Sequence, residues 1–168
     1  NQKYHVRASV SAIMTQVLRE RGDSEGEAMW QYVLQCLGKL QHDGMSDEEE
    51  AAETVTIDGK QNRVQVRKVK KLSWRHPSFR PLFEMVDQTR EVEASIFSHQ
   101  GRPPMRRIRV DEIPTRPRPP PKHLPVSFFD AEYLQDLKKF PYKIEDLHLS
   151  KKEFPLREVP SLPDFDGE

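Results

Sequence analysis

The chain has 168 residues, of which 35% are hydrophobic, 32% are charged and 14 are proline. Because the hydrophobic share is low for a globular domain, we expect a modest core with long polar segments. The formal net charge is zero, which argues against a general nucleic-acid or membrane binder. The charges are segregated, however, with 5 basic and 10 acidic side chains in residues 1–54, 16 and 7 in residues 55–122, and 6 and 10 in residues 123–168.

The residues that commonly carry catalysis or metals are scattered. The single cysteine, Cys36, excludes an intrachain disulfide and favours an intracellular protein, and the six histidines lie far apart in sequence. No phosphate-binding glycine loop, nucleophile elbow or zinc-protease motif occurs. We therefore predict a chain that is not an enzyme, with no cofactor, no metal and no membrane association.

Two apolar patterns with helical spacing begin the chain. Val6–Arg21 and Gly26–Gln41 each place their apolar residues at i, i+3, i+4 and i+7, which predicts two amphipathic helices joined by a short turn at Gly22. Ser24 and Glu27 have the spacing of a capping box at the start of the second helix. Trp30 and Cys36 are interpreted as core residues.

The next pattern has a period of two. Val55 and Ile57, then Val64 and Val66, alternate with polar residues around Asp58-Gly59, which predicts a β-hairpin with a loop of four to five residues. A third helix is predicted around Leu82, Phe83 and Val86, since these residues share one helical face. The segment MRRIRV is a candidate edge strand.

The acidic stretch DGMSDEEEAAE, residues 43–53, precedes this hairpin and has three interpretations. It could cap a short helix, since early acidic residues favour a helix N-terminus. It could be an acidic linker or a partner for the basic hairpin. Ser46, with a carboxylate three residues later, is also a candidate phosphorylation site for an acidic-directed kinase. We favour a short capped turn whose carboxylates face the Lys/Arg side chains.

The basic middle of the chain is the main candidate surface. Such a cluster would release counterions from a phosphate backbone, although alternating charges also suit the solvent face of a hairpin. Arg67–Lys71 (RKVKK) additionally resembles a nuclear-import signal. The candidate contacts to nucleic acid or an acidic partner are Lys60, Arg63, Arg67, Lys68, Lys70, Lys71, Arg75, Arg106, Arg107 and Arg109.

The segment from Pro103 to Pro125 contains 8 prolines, which favours an extended conformation. Pro117, Pro120 and Lys122 fit the spacing of a ligand for a domain that binds polyproline II segments, and a strap across the chain's own domain is the alternative. Beyond it, Asp130 is predicted to cap a short helix, with Phe128, Phe129, Tyr133 and Leu134 as anchors.

Four segments taken together carry a resemblance: LGKLQHDGMSDEEE, VRKVKKLSWRHPSFRPLFEMVD, GRPPMRRIRV and LPVSFFDAEYLQDL. Their order and spacing resemble an abundant family of uncharacterised proteins of mushroom-forming (basidiomycete) fungi, over most of residues 1–140. The high copy number of that family suggests dispersal with mobile elements. The resemblance implies no activity. The matching positions are Gly44, Met45, Ser46, Asp47, Glu48, Trp74, Arg75, Asp87, Leu124, Pro125, Phe128, Asp130 and Leu134. Phe129 and Tyr133 stand where the family has Tyr and Trp.

These observations predict an α+β fold, in which a helical hairpin packs with a small antiparallel β-hairpin and a third helix. The expected organisation is a domain over residues 1–110, a Pro-rich strap or linker over 111–127, a docking helix over 128–140 and an irregular tail over 141–168. The predicted function is a non-enzymatic intracellular interaction module with an unknown protein partner. A DNA- or RNA-binding accessory domain of mobile-element origin is the alternative. The expected location is the nucleus or the cytoplasm, with the nucleus slightly favoured.

Overall fold

The computed structural model describes residues 2–93, 95–97 and 106–160, and it confirms the predicted mixture of helices and sheet. Two short 3₁₀ turns, His42–Gly44 and Val126–Phe128, accompany the regular elements. The α-helices are α1 (Gln2–Glu20), α2 (Ser24–Leu40), α3 (Phe79–Val92), α4 (Ala131–Leu137) and α5 (Pro141–Glu145). The strands are β1 (Glu48–Ile57), β2 (Lys60–Val69) and β3 (Arg106–Arg109).

The chain forms two compact units. The helical unit contains Asn1–Met45, Trp74–His99 and Pro120–Glu168, and the sheet unit contains Ser46–Ser73 and Gln100–Pro119. These bounds differ from the predicted domain over residues 1–110. The reason is that β3, which follows α3 in sequence, pairs with β2 and so returns the chain to the sheet.

The turn between α1 and α2 follows from the residues at its centre. Gly22 has a φ of +73°, a conformation that residues with a Cβ adopt at a cost. The N–H groups of Gly22 and Asp23 donate to the carbonyls of Arg19 and Leu18, which is the Schellman arrangement at a helix end. Asp23 then caps α2 by accepting from the Gly26 N–H at 2.9 Å. The predicted cap, Ser24, is instead the first residue of α2.

The helical unit is built on α1, which packs against both α2 and α3. Val33, Cys36 and Leu37 of α2 have no exposed surface, and Leu82, Phe83 and Val86 of α3 are at most 2% exposed. The predicted apolar faces of α2 and α3 are therefore the buried faces. Trp30 and Cys36 are core residues, as predicted.

The segment before α4 docks onto the residues before α3. Phe128 and Phe129 are buried, and Phe129 forms an antiparallel bridge with Arg75. Asp130 caps α4 as predicted, accepting from the N–H groups of Glu132 and Tyr133. No residue of α4 is fully buried, so the two phenylalanines anchor this segment more than Tyr133 and Leu134 do.

The predicted irregular tail contains structure. Pro141 begins α5 at a position where its missing N–H costs no hydrogen bond. Further along, Phe154 stacks on Tyr32 with ring centroids 5.8 Å apart, and the Arg157 N–H donates to the Tyr32 hydroxyl at 2.9 Å. The tail therefore packs along α2 at least as far as Arg157. Residues 161–168 lie outside the described part of the chain.

Candidate interaction surface

The sheet unit is organised by a tight hairpin. β1 and β2 pair antiparallel in an unbroken register from Glu48↔Val69 to Ile57↔Lys60. The turn is only Asp58-Gly59, with φ values of 52° and 75°, as a type I′ turn requires. The predicted loop of four to five residues is too long, because Lys60 already belongs to β2. The candidate strand MRRIRV is confirmed as β3, which runs parallel to β2.

The predicted short capped turn is wrong for most of the acidic stretch, since only Asp43 and Gly44 lie in a 3₁₀ turn and no side chain caps it. Residues 48–53 form the first half of β1, so glutamates occupy both faces of this strand. Ser46, which precedes the strand, is only 7% exposed. Phosphorylation of Ser46 stays a prediction, and it requires local opening of this segment because a kinase needs an accessible hydroxyl.

Glu48 joins the three strands. Its Oε2 lies 3.4 Å from Nη1 of Arg67 on β2, and its Oε1 accepts from Nε of Arg107 on β3 at 3.0 Å. The Glu48 side chain is 6% exposed, and the two guanidinium groups surround it. The prediction that the acidic stretch faces basic side chains is therefore confirmed for Glu48. Arg67 and Arg107, two of the candidate contacts, are paired with this carboxylate inside the sheet unit.

Other basic side chains of the sheet unit also have acidic partners. Lys70 Nζ lies 2.9 Å from Glu49, and this contact lowers the pKa of the Glu49 carboxyl and raises the pKa of Lys70. Lys68 Nζ lies 3.9 Å from Glu112, and Arg118 lies 3.1 Å from Asp47. Much of the positive charge in the middle of the chain is thus neutralised locally.

The remaining candidate contacts fall in different places. Lys60, Arg63 and Lys71 are exposed, and no ion pair within the described residues involves them. Arg109 is half-buried on β3, and the side chain of Arg106 lies outside the described part of the structure. Arg75 belongs to the helical unit, where it is 9% exposed, and is not a residue of the sheet unit.

Arg75 instead takes part in a buried cluster of the helical unit. Its Nη1 donates to the Gly44 carbonyl at 2.6 Å, and its guanidinium lies 4.8 Å from the centre of the Phe83 ring. Arg7, 5% exposed, lies 4.6 Å from the same ring and pairs with Asp87. Arg7 was not predicted as a site residue, and its only signal in the sequence is a charge that shares a helical face with Val10 and Met14.

Many positions that carry the family resemblance are core positions of the helical unit. Trp74 and Arg75 are buried, and Asp87 binds Arg7. Four members of this set have less than 2% of their surface exposed: Met45, Leu124, Pro125 and Phe128. These residues support the fold and do not form a surface site.

The Pro-rich segment has no helix or strand between Pro117 and Pro121. Pro117 is exposed and Pro120 is half-buried. Lys122 Nζ donates to the Asp146 carbonyl within the helical unit, so the basic end of the candidate ligand has a partner in the chain itself. Binding of this segment by another domain stays a prediction.

The outer half of the hairpin is the most exposed part of the sheet. We name residues 54–65 the hairpin arm; all are exposed except Val55, which is half-buried. Because facing residues of paired strands share a face, the register places Val55, Ile57 and Val64 on one face of the arm. Ile57 is 53% exposed and Val64 is 38% exposed. Thr54, Thr56, Gln61, Arg63 and Gln65 lie on the other face.

The candidate metal ligands, the single thiol and the helix lengths each give one result for the described residues. In residues 2–93, 95–97 and 106–160, no three His, Cys, Asp or Glu side chains converge to hold a metal ion. Burial raises the pKa of Cys36 to about 12, so the thiol stays protonated and is a poor nucleophile. Among the described helices, none combines the length and apolar character needed to span a membrane.

Comparison with known proteins gives no match to a family model, to a curated protein or to a solved structure. The geometry of the two units is therefore the basis for assigning a function.

Proposed function

We propose that this chain is a non-enzymatic intracellular module that binds another protein, and that the sheet unit carries the binding surface. The hairpin arm is the observation that supports this proposal most. It carries three apolar side chains on one face that keep exposed surface, unlike the buried Val66 further along β2. Natural proteins usually cover or shorten such edges. Ile57 has 53% of its surface exposed at the end of a ten-residue edge strand.

The distribution of charge supports a protein partner over nucleic acid. Binding to a phosphate backbone gains most of its affinity from exposed cations that release counterions. Arg67, Arg107 and Lys70 are instead held by Glu48 and Glu49 at 2.9–3.4 Å. A phosphate would have to displace these carboxylates, which lowers the gain from each contact.

Nucleic-acid binding is the second candidate, and the other face of the arm supports it. An antiparallel ribbon of two strands fits the major groove, where Arg and Gln side chains can donate to base edges. Arg63, Gln61 and Gln65 are all exposed on that face. We expect weak binding to random duplex DNA or none at about 50 mM salt; tight binding that falls steeply with salt would instead establish this alternative.

The protein-binding proposal can be tested with the full chain. A variant with Val55→Thr, Ile57→Thr and Val64→Thr keeps residues suited to strands and removes the apolar stripe. Val126 is also 53% exposed but lies in the helical unit, so Val126→Thr is the matched control. Both variants and the unmodified chain are cross-linked in cell extract, and partners are quantified by mass spectrometry. The arm variant should lose the partners that the control retains; equal recovery by both variants would overturn the proposal.

A further inference from the structure

The outer edge of β1 has unused backbone hydrogen-bonding groups. In a two-residue hairpin the residues flanking the turn, here Ile57 and Lys60, form a hydrogen-bonded pair, and the pattern alternates along the strands. The N–H and C=O groups of Ala52, Thr54 and Thr56 therefore point away from β2. Among the described residues no strand pairs with this edge, and these three residues make no other hydrogen bond there.

The side chains along this edge have a definite order. Val55 and Ile57 lie near the turn on the apolar face, and Glu53 lies on that same face further from the turn. Glu50 is exposed on the opposite face. A strand laid antiparallel along this edge therefore meets apolar side chains first and carboxylates afterwards.

The inner edge of β1 shows which side chains accompany the glutamates on a neighbouring strand. There β2 pairs over all ten positions, placing Arg67 opposite Glu50 and Lys68 opposite Glu49. Opposite charges across two strands stabilise the pair, and like charges destabilise it. On the outer side, a neighbouring strand would run beside Glu50, which is exposed, and Glu53, which is half-buried.

We propose that the outer edge of β1 binds an extended basic segment of a partner protein as a fourth, antiparallel strand. This inference rests on the proposed function and names the chemistry of its partner. Facing residues 57 to 50 in turn, the segment has the pattern apolar, any, apolar, any, basic, any, any, basic. Backbone pairing supplies affinity, and the apolar and basic positions supply specificity.

A second copy of the chain is a poorer occupant of this edge. Full-length antiparallel pairing of two β1 strands places the two Glu53 side chains opposite or diagonal to one another, and like charges at such positions are destabilising. A shift that separates them leaves only about five residues paired around Val55. Self-association is therefore an outcome that the experiment must detect.

The test uses the full chain and a fluorescent peptide, VTVTKTAK, acetylated and amidated at its ends, with VTVTETAE as the charge-reversed control. We expect fluorescence anisotropy to show binding of the basic peptide only, weakened about 3- to 10-fold by Glu50→Gln with Glu53→Gln. Thr56→Pro removes an outward N–H of β1 and should abolish binding. Gln61 lies directly opposite on β2, so Gln61→Pro removes an outward N–H at the other edge and should leave binding intact.

Several results would overturn the inference. These are equal binding of both peptides, equal loss with both proline variants, or sedimentation showing that the chain associates with itself through an edge blocked by Thr56→Pro. If the basic peptide fails to bind while the triple-threonine arm variant still loses its cross-linked partners, strand addition is wrong and the proposed protein-binding function stands.

Discussion

The Arg7 guanidinium and the Asp87 carboxylate join α1 to α3 through two parallel hydrogen bonds, Nε to Oδ1 at 2.9 Å and Nη2 to Oδ2 at 2.8 Å. The arginine side chain is 6% exposed and the aspartate 22%, so this charge pair is largely withdrawn from water. Removing one partner of such a pair leaves the other charge buried without its counterion.

Asp87→Asn is therefore expected to destabilise the helical unit by about 2–4 kcal/mol, somewhat below a fully buried pair because Asp87 retains some solvent contact. Urea unfolding followed by circular dichroism measures the change. Glu84→Gln on the same helix is the control, since its pair with Arg80 is exposed and should contribute less than about 1 kcal/mol. Equal effects of the two substitutions would contradict the structural role of the Arg7–Asp87 pair.

Glu48→Gln is expected to loosen β3. The carboxylate is the partner of Arg107, and its loss should reduce stability by about 1 kcal/mol, because both arginines are partly solvated. Hydrogen exchange at Ile108 and Val110 measures the effect, because these amides face β2, as the Val110 N–H bonded to the Val69 carbonyl shows, and local opening releases them. Glu50→Gln, an exposed position on the same strand, should leave their exchange unchanged.

The Glu49–Lys70 contact predicts a dependence on pH. The hydrogen bond from Lys70 lowers the pKa of the Glu49 carboxyl below its ordinary value of 4.5, so its contribution to stability is present above that value and is lost as pH falls through the lower folded pKa. The pKa of Lys70 is raised above its ordinary value of 10.5, so the contribution of Lys70 to stability is present below pH 10.5 and is lost as the pH rises through the higher pKa of the folded chain. The thermal midpoints of the unmodified chain and of Glu49→Gln should therefore differ near pH 7 and converge in acid. A constant difference down to pH 2 would contradict this linkage.

The left-handed conformation of Gly22 predicts opposite effects at two glycines. Gly22→Ala should destabilise the chain by about 1 kcal/mol, since a Cβ is strained at a φ of +73°. Gly38 lies within α2, and a Cβ there meets nothing within 4 Å. Gly38→Ala should stabilise the chain by about 0.5–1 kcal/mol, because alanine favours the helix. Equilibrium unfolding of both variants gives the signs, and matching signs would be inconsistent with the Schellman turn.

The buried thiol of Cys36 should resist alkylation in the folded chain. Its pKa is raised to about 12 by burial, so almost no thiolate exists at pH 8 and the side chain has no exposed surface. Iodoacetamide labelling should be slow in buffer and rapid in 6 M guanidinium chloride. Because the unfolded thiol ionises near pH 9, stability should also fall as pH rises above that value. Rapid labelling of the native chain would contradict the position assigned to α2.

Local periodicity predicted α1, α2, α3 and the hairpin but not α5, since apolar residues on one face of α2 or α3 have few alternatives to burial. It failed at residues 48–53 because glutamate has a low preference for strands. The strand forms there because Arg67, Arg107 and Lys70 lie across from the carboxylates. That compensation depends on the pairing register, which the glutamates alone do not reveal.

The candidate surface was predicted only in part for a similar reason. Arg75 and Arg63 are indistinguishable by composition, yet one is buried on the Phe83 ring and the other is exposed on the hairpin arm. The apolar stripe of the arm was visible as alternation at Val55 and Ile57. The exposure of this stripe could not be predicted, because alternation of apolar and polar residues normally indicates a strand whose apolar face is covered.

The contact between Tyr32 and Arg157 spans 125 residues, and this separation bears on how the chain is made. During synthesis α2 leaves the ribosome long before the tail that packs along it. Closing such long loops slows folding, and nascent chains with uncovered apolar faces are prone to aggregate. The Tyr32 hydroxyl therefore gains its Arg157 partner only after 125 further residues have been made, whereas the packing of α2 on α1 can form as soon as both helices exist.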